Sequence, residues 1–182
     1  MTLNEWFTKG LTERTYVQKM EKNQGNLLTV YNQHSIHQRE KEVLHRLQKK
    51  KLRALVITAD WCGDAMVNIP IFMRIANEAL IDARYFIRDE NLELMDQYLT
   101  NGTARSIPII VLIDQEGNEV GKWGPRSLEA QRFVDEKKPE KEASDYEEAF
   151  QRFAKEAAQF YTTDRHLWKD IEKEIVEVLA KI

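Results

Sequence analysis

The stretch Leu55-Val56-Ile57-Thr58-Ala59-Asp60-Trp61-Cys62-Gly63-Asp64-Ala65 passes from an apolar run into a helix-like segment and contains the only cysteine of the 182-residue chain. A strand that leads directly into a helix places the junction residue beside the free backbone N–H groups of the helix N-terminus, where the helix dipole favours an anion. This position indicates an accessible, reactive thiol at Cys62. A free cysteine is also commonly a small buried apolar residue, and that alternative stays open here.

Three further features follow the cysteine in a recognisable order. Pro70 lies eight residues after Cys62, Arg105-Ser106-Ile107-Pro108 precedes the apolar run 109–113, and Gly124 follows a last strand-like segment. Together with Trp-Cys-Gly, these features resemble the kinked active-site helix, the cis-proline loop and the active-site glycine of the thioredoxin family. Within that family, the Trp-Cys-Gly-Asp motif is most similar to single-cysteine bacterial thioredoxin-like proteins.

The resemblance covers about residues 25–135. It implies an α/β, thioredoxin-like fold of three layers, with a mixed central sheet between helices. We expect a single domain over residues 1–182, with an N-terminal helical extension at 1–51, a core at 52–136 and a C-terminal helical extension at 137–182.

The resemblance also assigns roles to individual residues. Cys62 is expected to be the catalytic nucleophile. Substrate-binding positions are expected around it, with Gly124 leaving a gap for a substrate backbone: Trp61, Gly63, Asp64, Ile107, Pro108 and Gly124. The Ile107–Pro108 bond is expected to be cis, and the resemblance implies neither a cofactor nor a metal ion.

Three departures from the family pattern change the expected chemistry. Ala65 occupies the position of the second, resolving cysteine, so an internal disulfide cannot form. The buried aspartate of the family aligns with Val56, and its lysine neighbour aligns with Tyr85. Loss of both charged residues together is physically reasonable, because one buried charge without its partner would lower the stability of the fold by several kcal/mol.

The pattern therefore predicts a monothiol protein that exchanges disulfides through a mixed disulfide at Cys62. Its partners would be a protein disulfide or a low-molecular-weight thiol, and an external thiol reductant would release the adduct. The alternative is a redox-inactive interaction module that retains the fold.

The reactivity of the thiol depends on opposing effects. The helix terminus favours the thiolate by ~0.3–1 kcal/mol, whereas Asp60 and Asp64 each oppose it by about 1 kcal/mol in water at ~4 Å. Desolvation by Trp61 and by the loop at 107–108 raises the pKa further. Strong activation of Cys62 does not follow.

Composition narrows the classes of partner. The chain has 27 basic and 30 acidic residues, a formal charge of −3 and 42% hydrophobic residues. The signs are interleaved and no apolar run is long enough to cross a membrane, which indicates neither nucleic acid nor a membrane as partner. The first residues lack a signal-peptide pattern, and one cysteine allows no internal disulfide, so we expect a cytoplasmic protein.

The sequence around Cys62 and around the two histidines His34 and His37 does not match other known types of cysteine or histidine site. A peroxiredoxin site needs threonine three residues before the cysteine, but Thr58 lies four before Cys62; a low-molecular-weight phosphatase loop needs arginine where Asn68 stands. Monothiol glutaredoxins share only Cys-Gly with this site. His34 and His37 could share a metal ion, but a solvated helix start is the better interpretation of this pair.

Periodicity predicts two helices before the sheet: one across 6–20, followed by a break at 23–26, and one from a Ser35/Gln38 capping box to 47. Strands and helices then alternate, with a strand at 53–59, a kinked helix at 62–80, a strand at 83–88, a short helix at 91–99 and strands at 109–113 and 118–123. A charged connector at 136–142 leads to two C-terminal helices, which are capped by Asp145 and Thr163.

Overall fold

The computed structural model describes all 182 residues. Four strands form the sheet: β1 (Arg53–Thr58), β2 (Asp82–Ile87), β3 (Ile109–Ile113) and β4 (Glu119–Trp123). Nine α-helices surround it: α1 (Leu3–Phe7), α2 (Glu13–Lys19), α3 (Gln24–Gln33), α4 (Gln38–Leu47), α5 (Ala65–Ala79), α6 (Leu92–Met95), α7 (Leu128–Lys137), α8 (Tyr146–Thr163) and α9 (Arg165–Leu179).

The sheet is mixed, with the order β2-β1-β3-β4. Strand β1 pairs in parallel with β2 and antiparallel with β3, and β4 pairs antiparallel with β3. Every residue of β3 is buried, as is β1 after its first residue. The sequence-based expectation of a mixed central sheet in an α/β fold with helical extensions is confirmed.

Helix α5 is the central helix of the fold. Twelve of its fifteen residues are buried, and α3, α4, α8 and α9 all pack against it. Pro70 lies inside this helix, as expected. Because α3 and α4 precede the sheet while α8 and α9 follow it, both ends of the chain contribute to the surroundings of α5. The division into two extensions and a core stays a prediction.

The N-terminal segment adds one antiparallel bridge to the edge of the sheet. Leu11 and Tyr85 exchange two backbone hydrogen bonds of 2.9 and 2.8 Å as an antiparallel bridge at the edge of β2. The bridge separates α1 from α2, so the single helix expected across residues 6–20 is wrong. The helical spacing of apolar residues continues through the segment between α1 and α2, so the sequence pattern does not reveal that the helix is interrupted there.

Several helix boundaries differ from the sequence-based predictions. The expected break at residues 23–26 is the start of α3, because Asn23 adopts a left-handed conformation with φ 54° immediately before it. His37, not Ser35, is the N-cap of α4. Asp164, not Thr163, caps α9 by accepting a hydrogen bond from the backbone N–H of Leu167.

No helix of the chain combines the length and the apolar character needed to cross a lipid bilayer.

Candidate functional site

Cys62 lies in the turn between β1 and α5. Its backbone N–H donates to the carbonyl oxygen of Ala59 over 3.2 Å, which closes the turn before the helix. Helix α5 begins at Ala65, so the expectation that Cys62 starts the helix is wrong by three residues. The backbone N–H groups of Asp64 and Ala65 nevertheless point to the Cys62 sulfur. The sulfur therefore lies at the positive end of α5, as the sequence indicated.

The thiol is enclosed rather than exposed. Cys62 is 7% exposed, and its Sγ lies 3.5 Å from the carbonyl oxygen of Ile107, to which the thiol donates. The expectation of an accessible thiol is wrong, because the cis-proline loop covers it. The neighbouring Trp61 is 43% exposed.

Trp61 is held at the surface by two charged residues. Its indole Nε1 donates to Asp89 over 3.2 Å, and the Arg88 guanidinium lies 4.5 Å from the centre of its ring. Both residues follow β2, so the end of the parallel strand next to β1 orients this side chain.

The loop opposite Cys62 has the expected conformation. The Ile107–Pro108 bond is cis, as predicted, and the Gly124–Pro125 bond is cis as well. Gly124 has φ +123°, and a Cβ at this position would collide with the carbonyl oxygen of Pro108. Only glycine allows the end of β4 to approach the cis-proline loop so closely.

Asp64 is buried beside the cysteine in a network that links three parts of the chain. Its Oδ2 lies 2.7 Å from Arg126, and its Oδ1 accepts a 2.8 Å hydrogen bond from the Tyr161 hydroxyl. Tyr161 belongs to α8 and is 97 residues away in sequence. The sequence around Asp64 gives no signal for either partner.

Comparison with known proteins agrees with this geometry. A profile described as thioredoxin matches residues 10–143, about three quarters of the chain. The chain belongs to the thioredoxin family. No curated protein matches it significantly.

Two solved structures show the same fold. An HIV epitope scaffold is 16% identical, with a TM-score of 0.72, and the match covers 100% of this chain and 99% of the scaffold. A protein of unknown function from Pseudomonas aeruginosa is 18% identical, with a TM-score of 0.64 and coverage of 96% and 97%. At these identities the likeness concerns the fold of the thioredoxin family and not an activity.

The pKa of the Cys62 thiol is raised to about 11. Burial is the main cause, and the Asp64 carboxylate adds to it; the backbone N–H groups of Asp64 and Ala65 and the charge of Arg126 act in the opposite direction. The resting residue at neutral pH is therefore a thiol. The sequence-based argument that burial and Asp64 offset the helix terminus agrees with this result.

Asp60 has a different role from the one expected. Its Oδ2 accepts hydrogen bonds of 2.8 and 3.0 Å from the backbone N–H groups of Glu21 and Lys22. It is not among the main causes of the raised pKa of Cys62. Asp60 instead attaches the segment between α2 and α3 to the turn that contains Cys62.

The two positions that the resemblance aligns with the family's buried ion pair are cross-strand neighbours. Val56 and Tyr85 are register partners in β1 and β2, and both are fully buried. The Tyr85 ring stacks on Tyr16 at 5.0 Å, and the Tyr16 hydroxyl lies 3.2 Å from Thr58. Stacked aromatic rings thus occupy the place of a charged pair, and no carboxylate there can accept the proton of Cys62.

His34 and His37 both contact the carboxylate of Glu172. Glu172 of α9 is 1% exposed; its Oε2 lies 2.9 Å from His34 Nε2 and 2.9 Å from His37 Nδ1, and its Oε1 accepts the backbone N–H of His37. The interpretation as a solvated helix start is wrong for His34, which is buried. No group of three or more His, Cys, Asp or Glu side chains is arranged to hold a metal ion.

The electrostatics of the site predict different outcomes for substitution of the two aspartates that flank the cysteine. Asp64→Asn removes a charge that raises the pKa of Cys62 and frees Arg126, which lowers it. We expect alkylation of Cys62 at neutral pH to become several-fold faster, with the pH profile displaced to lower pH. The measurement is the rate of iodoacetamide labelling as a function of pH.

Asp60→Asn is the matched control, because Asp60 flanks the cysteine but is not among the main causes of its raised pKa. Its labelling profile should coincide with that of the wild type. Equal acceleration by both variants would contradict a specific effect of Asp64 and would indicate a general loosening of the turn.

Proposed function

We propose that the chain is a single-cysteine thioredoxin-like protein of the Trp-Cys-Gly-Asp group that exchanges disulfides through Cys62. The observation that carries the proposal is the juxtaposition of three elements at one end of the sheet. Cys62 Sγ lies 3.5 Å from the Ile107 carbonyl oxygen, Pro108 follows in cis, and Gly124 lies against Pro108. Trp61 and Gly63 flank the sulfur, and together these residues form the site where a substrate would bind.

The first chemical step is capture of the substrate disulfide. The Cys62 proton departs, Sγ attacks one sulfur of the substrate, the new S–S bond forms as the old one breaks, and the leaving thiolate takes up a proton. Loss of the proton also ends the hydrogen bond from Sγ to the Ile107 carbonyl oxygen. That oxygen then becomes available to a backbone N–H of an extended substrate, in the manner of an added strand.

The second step needs thiols from solution. Ala65 cannot attack the mixed disulfide, so one external thiol releases the substrate and a second frees Cys62. Two external thiols are oxidised to one disulfide for each substrate disulfide reduced. The cytoplasm, with its high concentration of small thiols, is the compartment in which this cycle would run.

The raised pKa of the Cys62 thiol determines the rate at which we expect Cys62 to capture a substrate disulfide. A pKa of about 11 in place of 9.0 leaves about a hundredfold less thiolate at neutral pH. The more basic thiolate is more nucleophilic, with a Brønsted coefficient of about 0.4–0.5, which recovers about tenfold. Capture should therefore be about tenfold slower than for an unperturbed cysteine, before access to the sulfur is considered.

The burial and raised pKa of Cys62 favour a second candidate function, a redox-inactive module that binds a partner through the same surface. The two functions differ in whether a covalent adduct forms at Cys62. Both functions use the same fold and the same surface beside Cys62, so a measurement of binding alone does not distinguish them.

The test of external resolution follows the adduct after it has formed. A mixed disulfide between Cys62 and a model peptide should persist without reductant and decay at a rate proportional to the concentration of added glutathione, as followed by intact mass. Cys62→Ser should form no adduct. Decay at a rate independent of glutathione would contradict release by an external thiol.

A further inference from the structure

A pocket of about 330 Å³ opens directly beside the active-site turn. Trp61, Gly63 and Asp64 form one side, so the pocket contains the residues immediately before and after Cys62. The opposite side is built by α8, in the C-terminal part of the chain. A group bound here would lie within a residue or two of a disulfide bonded to Cys62.

The lining is suited to an apolar side chain. Nine of its fourteen residues are hydrophobic, and on α8 the small side chains of Ala154 and Ala157 lie between aromatic residues. Trp61 and Phe150 are 43% and 38% exposed, and both line this pocket. Large apolar side chains that remain in contact with water around a concave surface are typical of a binding site. The volume lies at the low end for ligand sites, which fits one side chain better than a cofactor.

The charges of the pocket favour an acidic neighbour on the ligand. The Asp64 carboxylate is already bound by Arg126 and Tyr161. Lys138, at the end of α7, is the other charged residue of the lining, is exposed and forms no ion pair. The lining therefore contains one positive charge without a partner, which a carboxylate would complement.

We propose that this pocket is a specificity subsite for a substrate peptide that carries a bulky apolar side chain next to its disulfide cysteine and an acidic residue close behind. The inference rests on the proposed exchange at Cys62 and extends it by naming the substrate class. Helix α8 has a function in this account: it supplies a wall that selects among disulfides.

The test compares three short peptides as activated mixed disulfides, with Cys-Phe-Asp, Cys-Gly-Asp and Cys-Phe-Lys cores. The wild type should react with the Phe-Asp peptide at least about tenfold faster than with the Gly-Asp peptide, because burial of one aromatic side chain contributes at least that factor. The Phe-Lys peptide should react more slowly than Phe-Asp. Equal rates for all three peptides would overturn the subsite while leaving exchange at Cys62 intact.

Two pairs of variants locate the effect. Ala154→Leu fills the pocket from an exposed position and should reduce the Phe-Asp rate to the Gly-Asp rate; Gln151→Leu, exposed on the same helix outside the pocket, should retain the preference. Lys138→Glu should reverse the preference between Asp and Lys, whereas Lys141→Glu should not. A preference that survives both Ala154→Leu and Lys138→Glu would overturn the assignment to this pocket.

A serine analogue of each peptide separates the two proposals. Calorimetric titration of the wild type with Ser-Phe-Asp and Ser-Gly-Asp peptides reports binding without chemistry. A binding preference for Ser-Phe-Asp, together with no adduct from the activated Cys-Phe-Asp disulfide, would support the subsite and reject the exchange. Absence of the preference in both binding and reaction would reject the subsite.

Discussion

Ala65→Cys is expected to increase the turnover of insulin disulfide reduction by at least about tenfold at millimolar external thiol. The reason is that a second sulfur held beside the first attacks at a far higher effective concentration than a thiol in solution. Residue 65 adjoins the reacting atom, because its backbone N–H points to the Cys62 sulfur. The gain should stay below that of a full dithiol site, since neither Val56 nor Tyr85 supplies a carboxylate to assist proton transfer.

The control for this variant is Ala76→Cys. Ala76 lies on the same helix and is as buried as Ala65, so it reports the effect of an added buried thiol away from the site. Its turnover should equal that of the wild type. If Ala65→Cys were no faster than Ala76→Cys, release of the mixed disulfide would not limit the cycle.

Glu172→Gln is expected to lower the free energy of unfolding by about 2–3 kcal/mol at neutral pH, because the change breaks a buried charged network. Burial alone would raise the pKa of Glu172, but hydrogen bonds from His34 and His37 outweigh it and hold the pKa below the usual range. The carboxylate therefore stabilises the fold above the ordinary glutamate pKa, and this contribution is lost as the pH falls through the lowered value.

Urea unfolding of the wild type and of Glu172→Gln as a function of pH measures this contribution. The difference should be constant near neutral pH and should shrink below about pH 4. Glu177→Gln, an exposed change on the same helix, should alter stability by less than about 0.5 kcal/mol. A difference for Glu172→Gln that is independent of pH down to acid would show that lost packing, not the charge, is responsible.

The sequence predicted those parts of the molecule that depend on local chemistry. The buried strand before Cys62 follows from its apolar run, whereas the cis bond at Pro108 and the position of Gly124 were expected from the resemblance to the thioredoxin family. The apolar runs and their order predicted the strands themselves, and the mixed pairing of the sheet was expected from the resemblance to the thioredoxin family.

The remaining features depend on contacts between distant segments. The pairing of Asp64 with Tyr161 joins residues 97 positions apart, and a stripe of aromatic residues along α8 gives no sign of which hydroxyl faces a carboxylate. Desolvation of Cys62 by the loop at 107–108 was expected, but not its extent, because the depth of a loop over a thiol depends on tertiary packing. The contact of His34 with Glu172 was missed for the same reason.

The central claim is that Cys62, although buried and protonated at rest, captures disulfides in the folded protein. The most direct measurement is the intact mass of the native protein after incubation with an excess of a chromogenic aromatic disulfide at neutral pH, with Cys62→Ser beside it. The account predicts slow, complete formation of one adduct per chain, with one equivalent of coloured thiolate released, and no adduct in Cys62→Ser. A wild-type chain that forms no adduct until it is unfolded by denaturant would contradict the account and identify Cys62 as a structural residue of an interaction module.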